Sequence, residues 1–349
     1  MIKRLKKVVG SASLKTVALV EMKDGREAVL LVQRPFAENQ IKSNLELSAR
    51  FLEELKRSHV DVPTGMFDAV ITDLRSQLMD ETKMKDEALK IIEAQKHYAS
   101  MNNDLAEQLN GYRFKVPGIV SGIESRENLL LIEKAEGLTW SHTPQEVRAI
   151  VGKPIVESSL RMLFRDGWFD PDRHGGNVMI EPKTKTIYPI DFGQAEVYSR
   201  TAFWKPDDRY IFARFLQAVS ENDEARLLEY GMKMVDVKNG KGIDRILVAK
   251  KLHEALDANK GMGINDRIIA VANAYAENGA KFERKFSFGA LKGLMILHGE
   301  EYVSDQKFAA ILRQEIKHIL TEKLPLTAVE GMSKVFGDCM RSFKLLQTH

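Results

Sequence analysis

Asp172-Arg-His-Gly-Gly-Asn177-Val-Met-Ile-Glu181, then Pro-Lys-Thr-Lys185, then Thr186-Ile-Tyr-Pro-Ile-Asp-Phe-Gly193 is the stretch that decides how this chain is read. Val178-Met-Ile180 and Ile187 to Ile190 are short apolar runs bracketing Pro182 and a Lys/Thr turn, the pattern of two strands joined as a hairpin. Carboxylates stand at both ends of it. Asp172 and Asn177 lie five positions apart (177 − 172 = 5), and Asp191 closes the second strand. A carboxylate beside an acceptor hydroxyl, with an amide and a second carboxylate as hard oxygen ligands, is what magnesium-assisted phosphoryl transfer requires. The bland alternative is a surface hairpin that carries two aspartates.

The chain has 349 residues, enough for two lobes with their own cores. Its 44% hydrophobic and 29% charged residues are those of an ordinary globular protein. A net charge of +3, from 52 basic and 49 acidic groups, gives no case for nucleic acid as the main partner. A single cysteine, Cys339, rules out an internal disulfide and fits a reducing, intracellular and most simply cytoplasmic setting. No run approaches the ~18 consecutive apolar residues of a membrane span, so any membrane contact is expected to be peripheral. Met1-Ile-Lys-Arg-Leu-Lys-Lys7 is basic, as targeting peptides are, but the strands expected from Gly10 onward argue against a removable segment.

Val8-Val9, Thr16 to Met22 and Ala28 to Gln33 are apolar, β-branched runs separated by Gly10-Ser-Ala-Ser13 and Lys23-Asp-Gly25, which predicts an antiparallel meander. Ile41, Leu45, Ala49, Leu52 and Leu55 recur at helical spacing, and a second helical stretch runs from about Glu81 to Leu109. Phe114 to Val120 and Leu129 to Glu133 read as two more strands. Five strands with an intervening helix, a short linker, helices, and then Asp-x-x-x-x-Asn and Asp-Phe-Gly follow the order of a bilobal kinase.

Gly10-Ser-Ala-Ser-Leu-Lys-Thr-Val17 and Lys23-Asp-Gly-Arg-Glu-Ala-Val-Leu-Leu-Val-Gln-Arg-Pro35 resemble the first strands of the ABC1/UbiB atypical kinases. The likeness continues at Glu81, Glu87-Ala88, Leu131-Ile-Glu-Lys-Ala-Glu-Gly137 and Gly167-Trp-Phe-Asp-Pro-Asp-Arg-His-Gly-Gly-Asn177, and covers about residues 8 to 235. It implies that Ala12 and Ser13 lie over the phosphates of ATP and that Glu87 is the helix acid facing the ATP-anchoring cation. It further implies that backbone groups from Glu133 to Ala135 hold adenine, that Asp172 is the catalytic-loop aspartate, and that Asn177 and Asp191 bind Mg²⁺. Family members are tied to ubiquinone and other isoprenoid lipid metabolism.

The sequence departs from that pattern in three places. The strand lysine is Leu31, the second acid of the family's E-x-D is Lys83, and the family's K-x-G-Q helix has no counterpart ahead of Val8. A leucine cannot supply fixed positive charge against phosphates. Lys15 is the best substitute, because it follows Ala12-Ser13 and its four-carbon stem has reach; Lys83 is a second candidate. Otherwise Lys15 is a solvated loop charge, and the protein a pseudokinase that binds nucleotide or a partner without turnover. Asp172-Arg-His and Ile190-Asp-Phe-Gly193 also resemble phosphatidylinositol kinases, where an Arg173-His174 pair would engage an anionic headgroup.

In the second half, Thr143 and Glu146 read as a capping box, Gly152-Lys-Pro154 as a helix end, and a further helix should lead into the catalytic loop. From about residue 240 the pattern is helical, with Phe286, Leu291, Leu294 and Leu297 as core. The expected architecture is α+β and protein-kinase-like: an N-lobe over 1–134, a helical C-lobe over 135–240, and a helical continuation over 241–349. Expected ligands are ATP, Mg²⁺ and an acceptor, whether lipid, small molecule or protein, that the sequence does not identify.

Overall fold

A computed structural model describes residues 2–11, 15–34, 84–120, 128–198, 207–235, 243–280, 282–283 and 285–322, with isolated helical positions between 43 and 57. The fold is α+β and kinase-like, with a small sheet at the N-terminal end and helices over most of the remainder.

The meander comprises β1 (Ile2–Ser11), β2 (Lys15–Met22) and β3 (Glu27–Gln33). A tight turn joins β2 to β3: Gly25 N–H donates to the Met22 carbonyl at 3.0 Å and the Asp24 carboxylate accepts from Arg26 N–H at 3.1 Å. The first strand begins at Ile2, six residues before the Val8 that the apolar run marks (8 − 2 = 6), because the basic segment Ile2-Lys-Arg-Leu-Lys-Lys7 pairs along β2 although it carries no apolar run. Helix α1 (Met84–Asp104) lies against one face of the sheet and buries Met84, Glu87, Ala88, Ile91, Ala94, Tyr98 and Met101, a stripe at helical spacing. The residues 81–83 that the sequence also assigns to this helix, and Lys83 with them, lie outside the described residues.

Phe114 to Val120 does not form one strand. Arg113–Phe114 makes a two-residue β4 parallel to the distant hairpin, fastened by Asn102, which donates to the Phe114 carbonyl at 2.9 Å and accepts from its N–H at 2.7 Å. Ile119 bridges Ile132 alone. The strand β5 (Leu129–Glu133) completes the first sheet in the order β1-β2-β3-β5.

Beyond the linker, β6 (Leu138–Thr139) leads into helix α2 (Gln145–Arg161), which continues past Pro154. Ten of its residues are buried, Pro154 among them, so packing around the helix offsets the lost backbone bond. Thr143 does not cap it: Pro144 holds that position, and the Thr143 hydroxyl donates back to the Thr139 carbonyl at 2.9 Å. After β7 (Trp168–Phe169) come the paired strands β8 (Val178–Glu181) and β9 (Thr186–Pro189), in a sheet ordered β4-β9-β8-β6, and then β10 (Glu196–Val197) beside β7.

The remaining helices are α3 (Asp208–Glu221), α4 (Glu224–Met234), α5 (Arg245–Ala258), α6 (Ile264–Ala276), α7 (Lys292–Gly299) and α8 (Asp305–Glu322), with a π-helical stretch Lys285–Leu291 before α7. Asp207, Asp223 and Asp244 cap α3, α4 and α5 through their carboxylates. Phe286, Leu291, Leu294 and Leu297 are buried, as their spacing predicts, in a core continuous from α1 and Leu31 through α2 to α8. No helix among the described residues is long and apolar enough to cross a membrane.

Gly137 joins the first sheet to the second at φ +103°, and a Cβ there would stand 2.2 Å from the Ile180 carbonyl oxygen. Gly137→Ala is therefore expected to lower the unfolding free energy by about 1–3 kcal/mol or more, read as a lower midpoint in urea denaturation with its slope unchanged.

Candidate active site

The hairpin β8–β9 is closed at its open end by a buried arginine. Arg173, 1% exposed, donates through Nη1 to the carbonyls of Asn177 at 2.7 Å and Ile190 at 2.9 Å, and pairs with the Asp170 carboxylate. Its guanidinium lies over the Phe192 ring, 4.8 Å from the centroid. Both ends of the ribbon, the loop before it and the Asp-Phe-Gly after it are thus fixed to one cation. Arg173 is accordingly not the surface cation that would pair with His174 around an anionic headgroup.

Three of the expected site residues are brought together by this arrangement. Asn177 donates from Nδ2 to the Asp172 carbonyl at 2.9 Å, which turns its amide oxygen to the other side. The Asp172 carboxylate is half-buried; its Oδ2 lies 3.4 Å from Asn177 Nδ2 and 3.8 Å from His174 Nε2. Ile190 N–H donates to the Asn177 carbonyl at 3.0 Å, so Asp191 follows directly on the end of the loop. Asp191 is exposed, adopts φ +55°, and accepts from Gly193 N–H at 3.3 Å. Aspartate is among the non-glycine residues that best tolerate that left-handed backbone, which swings its carboxylate out of the strand.

The fourth element is the cation. Lys15 Nζ donates to Glu87 Oε2 at 2.5 Å, and both side chains are buried, Lys15 at 7% and Glu87 at 4% exposed. Strand pairing explains how. Lys15 is opposite Gln33 and Val17 opposite Leu31, and residues directly opposite share a face, as do alternate residues of a strand. Lys15 therefore projects from the same face as Leu31, one strand over, toward α1. Leu31 itself is buried in the core with Met84, Ala88 and Ile91.

Burial raises the Glu87 carboxyl above its ordinary range, Lys15 draws it back, and the nearby Asp191 charge raises it further. Lys90, one turn on from Glu87 in α1, donates to the Gly193 carbonyl at 2.6 Å. The helix thus holds the strand lysine with one side chain and the Asp191 turn with another.

Ala12 and Ser13 lie outside the described residues. Glu133 ends β5 with its N–H donated to the Gly118 carbonyl at 2.7 Å, so what it would offer adenine is its carbonyl; Ala135 follows half-buried in the linker. Among the described residues no group of three or more His, Cys, Asp or Glu side chains is arranged to hold a metal. An amide oxygen with carboxylate oxygens, and no sulfur, is nonetheless a donor set suited to magnesium.

Sequence reasoning missed Lys90, Gln194 and Lys292. Lys292 Nζ donates to Asp172 Oδ1 at 3.2 Å and to Gln194 Oε1 at 2.6 Å. Nothing local marks it, since it stands in an apolar helical run 120 residues after Asp172.

A four-stranded sheet over a helix whose glutamate pairs with a strand lysine, joined to a helical part that carries Asp172, Asn177 and Asp191, defines a protein-kinase-like fold. The profile of the ABC1 atypical kinase-like domain matches residues 4–231, and the chain belongs to that family. It is 27% identical over 217 residues to the probable protein kinase UbiB of Erwinia tasmaniensis, covering 60% of this chain and 37% of that one. To the UbiB of Shewanella frigidimarina it is 26% identical over 249 residues, covering 65% and 43%. The chain thus spans about two fifths of the length of these relatives. Among solved structures, the complex of Rv3197 with erythromycin from Mycobacterium tuberculosis aligns at TM-score 0.44 and 19% identity, over 83% of this chain and 76% of that one. The Rio2 kinase-ADP/Mg²⁺-phosphoaspartate complex from Chaetomium thermophilum aligns at 0.31 and 15%, over 79% and 71%.

Breaking a buried ion pair from one side leaves an uncompensated charge, whereas removing both partners does not. Lys15→Met and Glu87→Leu should each lower stability by about 3–5 kcal/mol, and the double variant by less than either. Calorimetric unfolding of the four proteins measures this; additive losses would show that the two side chains are not coupled.

Proposed function

We propose that this chain binds Mg·ATP and transfers its γ-phosphoryl group to an acceptor hydroxyl, or to water. The observation that supports this reading above others is the buried Lys15–Glu87 pair at 2.5 Å. The family's strand lysine is replaced by Leu31, yet an ammonium group reaches the same glutamate from the neighbouring strand.

On this reading Lys15 faces the α- and β-phosphates, the loop of Ala12 and Ser13 covers them, and backbone groups from Glu133 to Ala135 hold adenine. Asn177 and Asp191 would hold magnesium, which supplies positive charge against the phosphates. Asp172 orients the acceptor and takes its proton. As the acceptor oxygen bonds to the γ-phosphorus, the bond from that phosphorus to the β,γ-bridging oxygen breaks, and ADP leaves with the electron pair. The lobes divide at 1–134 and 135–240, with 241–349 as the helical continuation.

The rival reading, a pseudokinase, has Leu31 in its favour. Titration of Mg·ATP with parallel turnover assays separates the two. Asp172→Asn should retain nucleotide binding and lose turnover. Lys15→Met should weaken ATP binding by roughly a hundred-fold, and adding Leu31→Lys to it should restore much of that loss, because both positions share one face of the sheet. Binding without turnover by the unmodified chain, over a range of lipid, protein and small-molecule acceptors, would favour the pseudokinase.

A further inference from the structure

Asp172 is not approached from its own lobe alone. The Lys292 ammonium that donates to its Oδ1 at 3.2 Å comes from the first residue of α7. That residue lies 61 positions past the last one matched by the family profile (292 − 231 = 61).

The contact is built rather than incidental. Gly293 presses on the catalytic loop so closely that a Cβ there would stand 2.3 Å from Phe169 Cε1 and 2.8 Å from Pro171 Cα. Further along the same segment, the Glu300 carbonyl accepts from Trp140 Nε1 and the Tyr302 hydroxyl donates to the Arg173 carbonyl, both at 3.2 Å. Residues 292–302 therefore lie along the loop that carries Asp172. Lys292 and Asp172 remain partly open, their side chains 27% and 22% exposed, so a ligand can reach them.

The chemistry at that point is constrained. An acceptor oxygen must come within hydrogen-bond reach of Asp172, and the phosphorus it attacks must be adjacent. An ammonium 3.2 Å from the same carboxylate stands beside the phosphoryl group in flight. Charge in that transition state spreads over three equatorial oxygens, which fixed cations stabilise. Lys15, held by Glu87, serves the other end of the triphosphate. His174, with Nε2 3.8 Å from Asp172, stands farther from that carboxylate than the Lys292 ammonium does.

We propose that Lys292 is a catalytic residue that contacts the γ-phosphate of bound ATP, so that the C-terminal helices complete the active site. This rests on the function proposed above. When ATP is bound, Lys292 keeps its hydrogen bond to Asp172 or Gln194 and donates another to a γ-phosphate oxygen. It neither gains nor loses a proton while the acceptor proton passes to Asp172 and ADP departs.

The test is equilibrium binding of a non-hydrolysable ATP analogue and of ADP, each with Mg²⁺, to the full chain and to Lys292→Ala, Lys292→Gln and Lys292→Arg, with thermal unfolding alongside. Lys292→Ala should weaken the triphosphate by roughly ten- to a hundred-fold, while ADP changes by less than about two-fold and Lys292→Arg keeps most of the discrimination. Should Lys292→Ala fail to fold, Lys292→Gln carries the comparison. Equal losses for both nucleotides would mark a structural residue, and an unchanged or improved triphosphate affinity would mark a latch on Asp172; either result overturns the proposal alone. Absence of nucleotide binding by the unmodified chain would overturn the proposed function with it.

Discussion

The described site depends on a guanidinium taken out of water. Burying an arginine is costly unless its donors meet acceptors, and although Nε of Arg173 has none among the described residues, its Nη groups hold the carbonyls of Asn177 and Ile190 and the carboxylate of Asp170 in place. Phe192 closes the arrangement from the ring side and is itself held between Tyr98 and Trp168. A hairpin with polar ends would otherwise splay at its mouth. With this cation inside, the carbonyls of Asn177 and Ile190 are held by one group, so the loop that carries Asn177 and the strand end that carries Asp191 stay joined.

A second constraint is the geometry of the sheet. Side chains alternate faces along a strand, so a charge moved from β3 to β2 reaches the same helix only at positions of matching parity. Lys15 satisfies this and Lys23, in the turn past the far end of β2, is too distant along the strand to serve. Leu31 then becomes an asset to packing: it fills the space against Met84 and Ala88 with carbon rather than with an ammonium that would need a second acid. Helix α1 couples the two changes, since Glu87 and Lys90 are one turn apart and address the sheet and the Asp191 turn respectively.

Much of this was legible in the residues. The hairpin declared itself by two apolar runs around Pro182, and the candidate metal ligands by their offsets, because both features are local. Lys15 was visible as a candidate because it follows Ala12-Ser13 in the sequence, although only strand register decides which face it takes. Helix ends were read poorly where tertiary packing outweighs local preference: Pro154 is carried inside a helix buried on nearly every side, and Thr143 spends its hydroxyl on the Thr139 carbonyl. Phe114 to Val120 reads as one strand in the sequence but only Arg113–Phe114 pairs as one, since the partner Ile187 is more than seventy residues away and no local pattern encodes that pairing. Lys292 was invisible for the same reason.

The packing of α7 and the residues after it has an implication for how the molecule is divided. The match to the family profile ends at residue 231, but the apolar core runs on without a seam into Leu294, Leu297 and Ile319. A fragment cut at the border of likeness would bare the loop's outer flank at Phe169 and Pro171 and strip Trp140 of its carbonyl acceptor. The stretch the profile matches and the folding unit have different edges, and the smaller of the two is missing a wall.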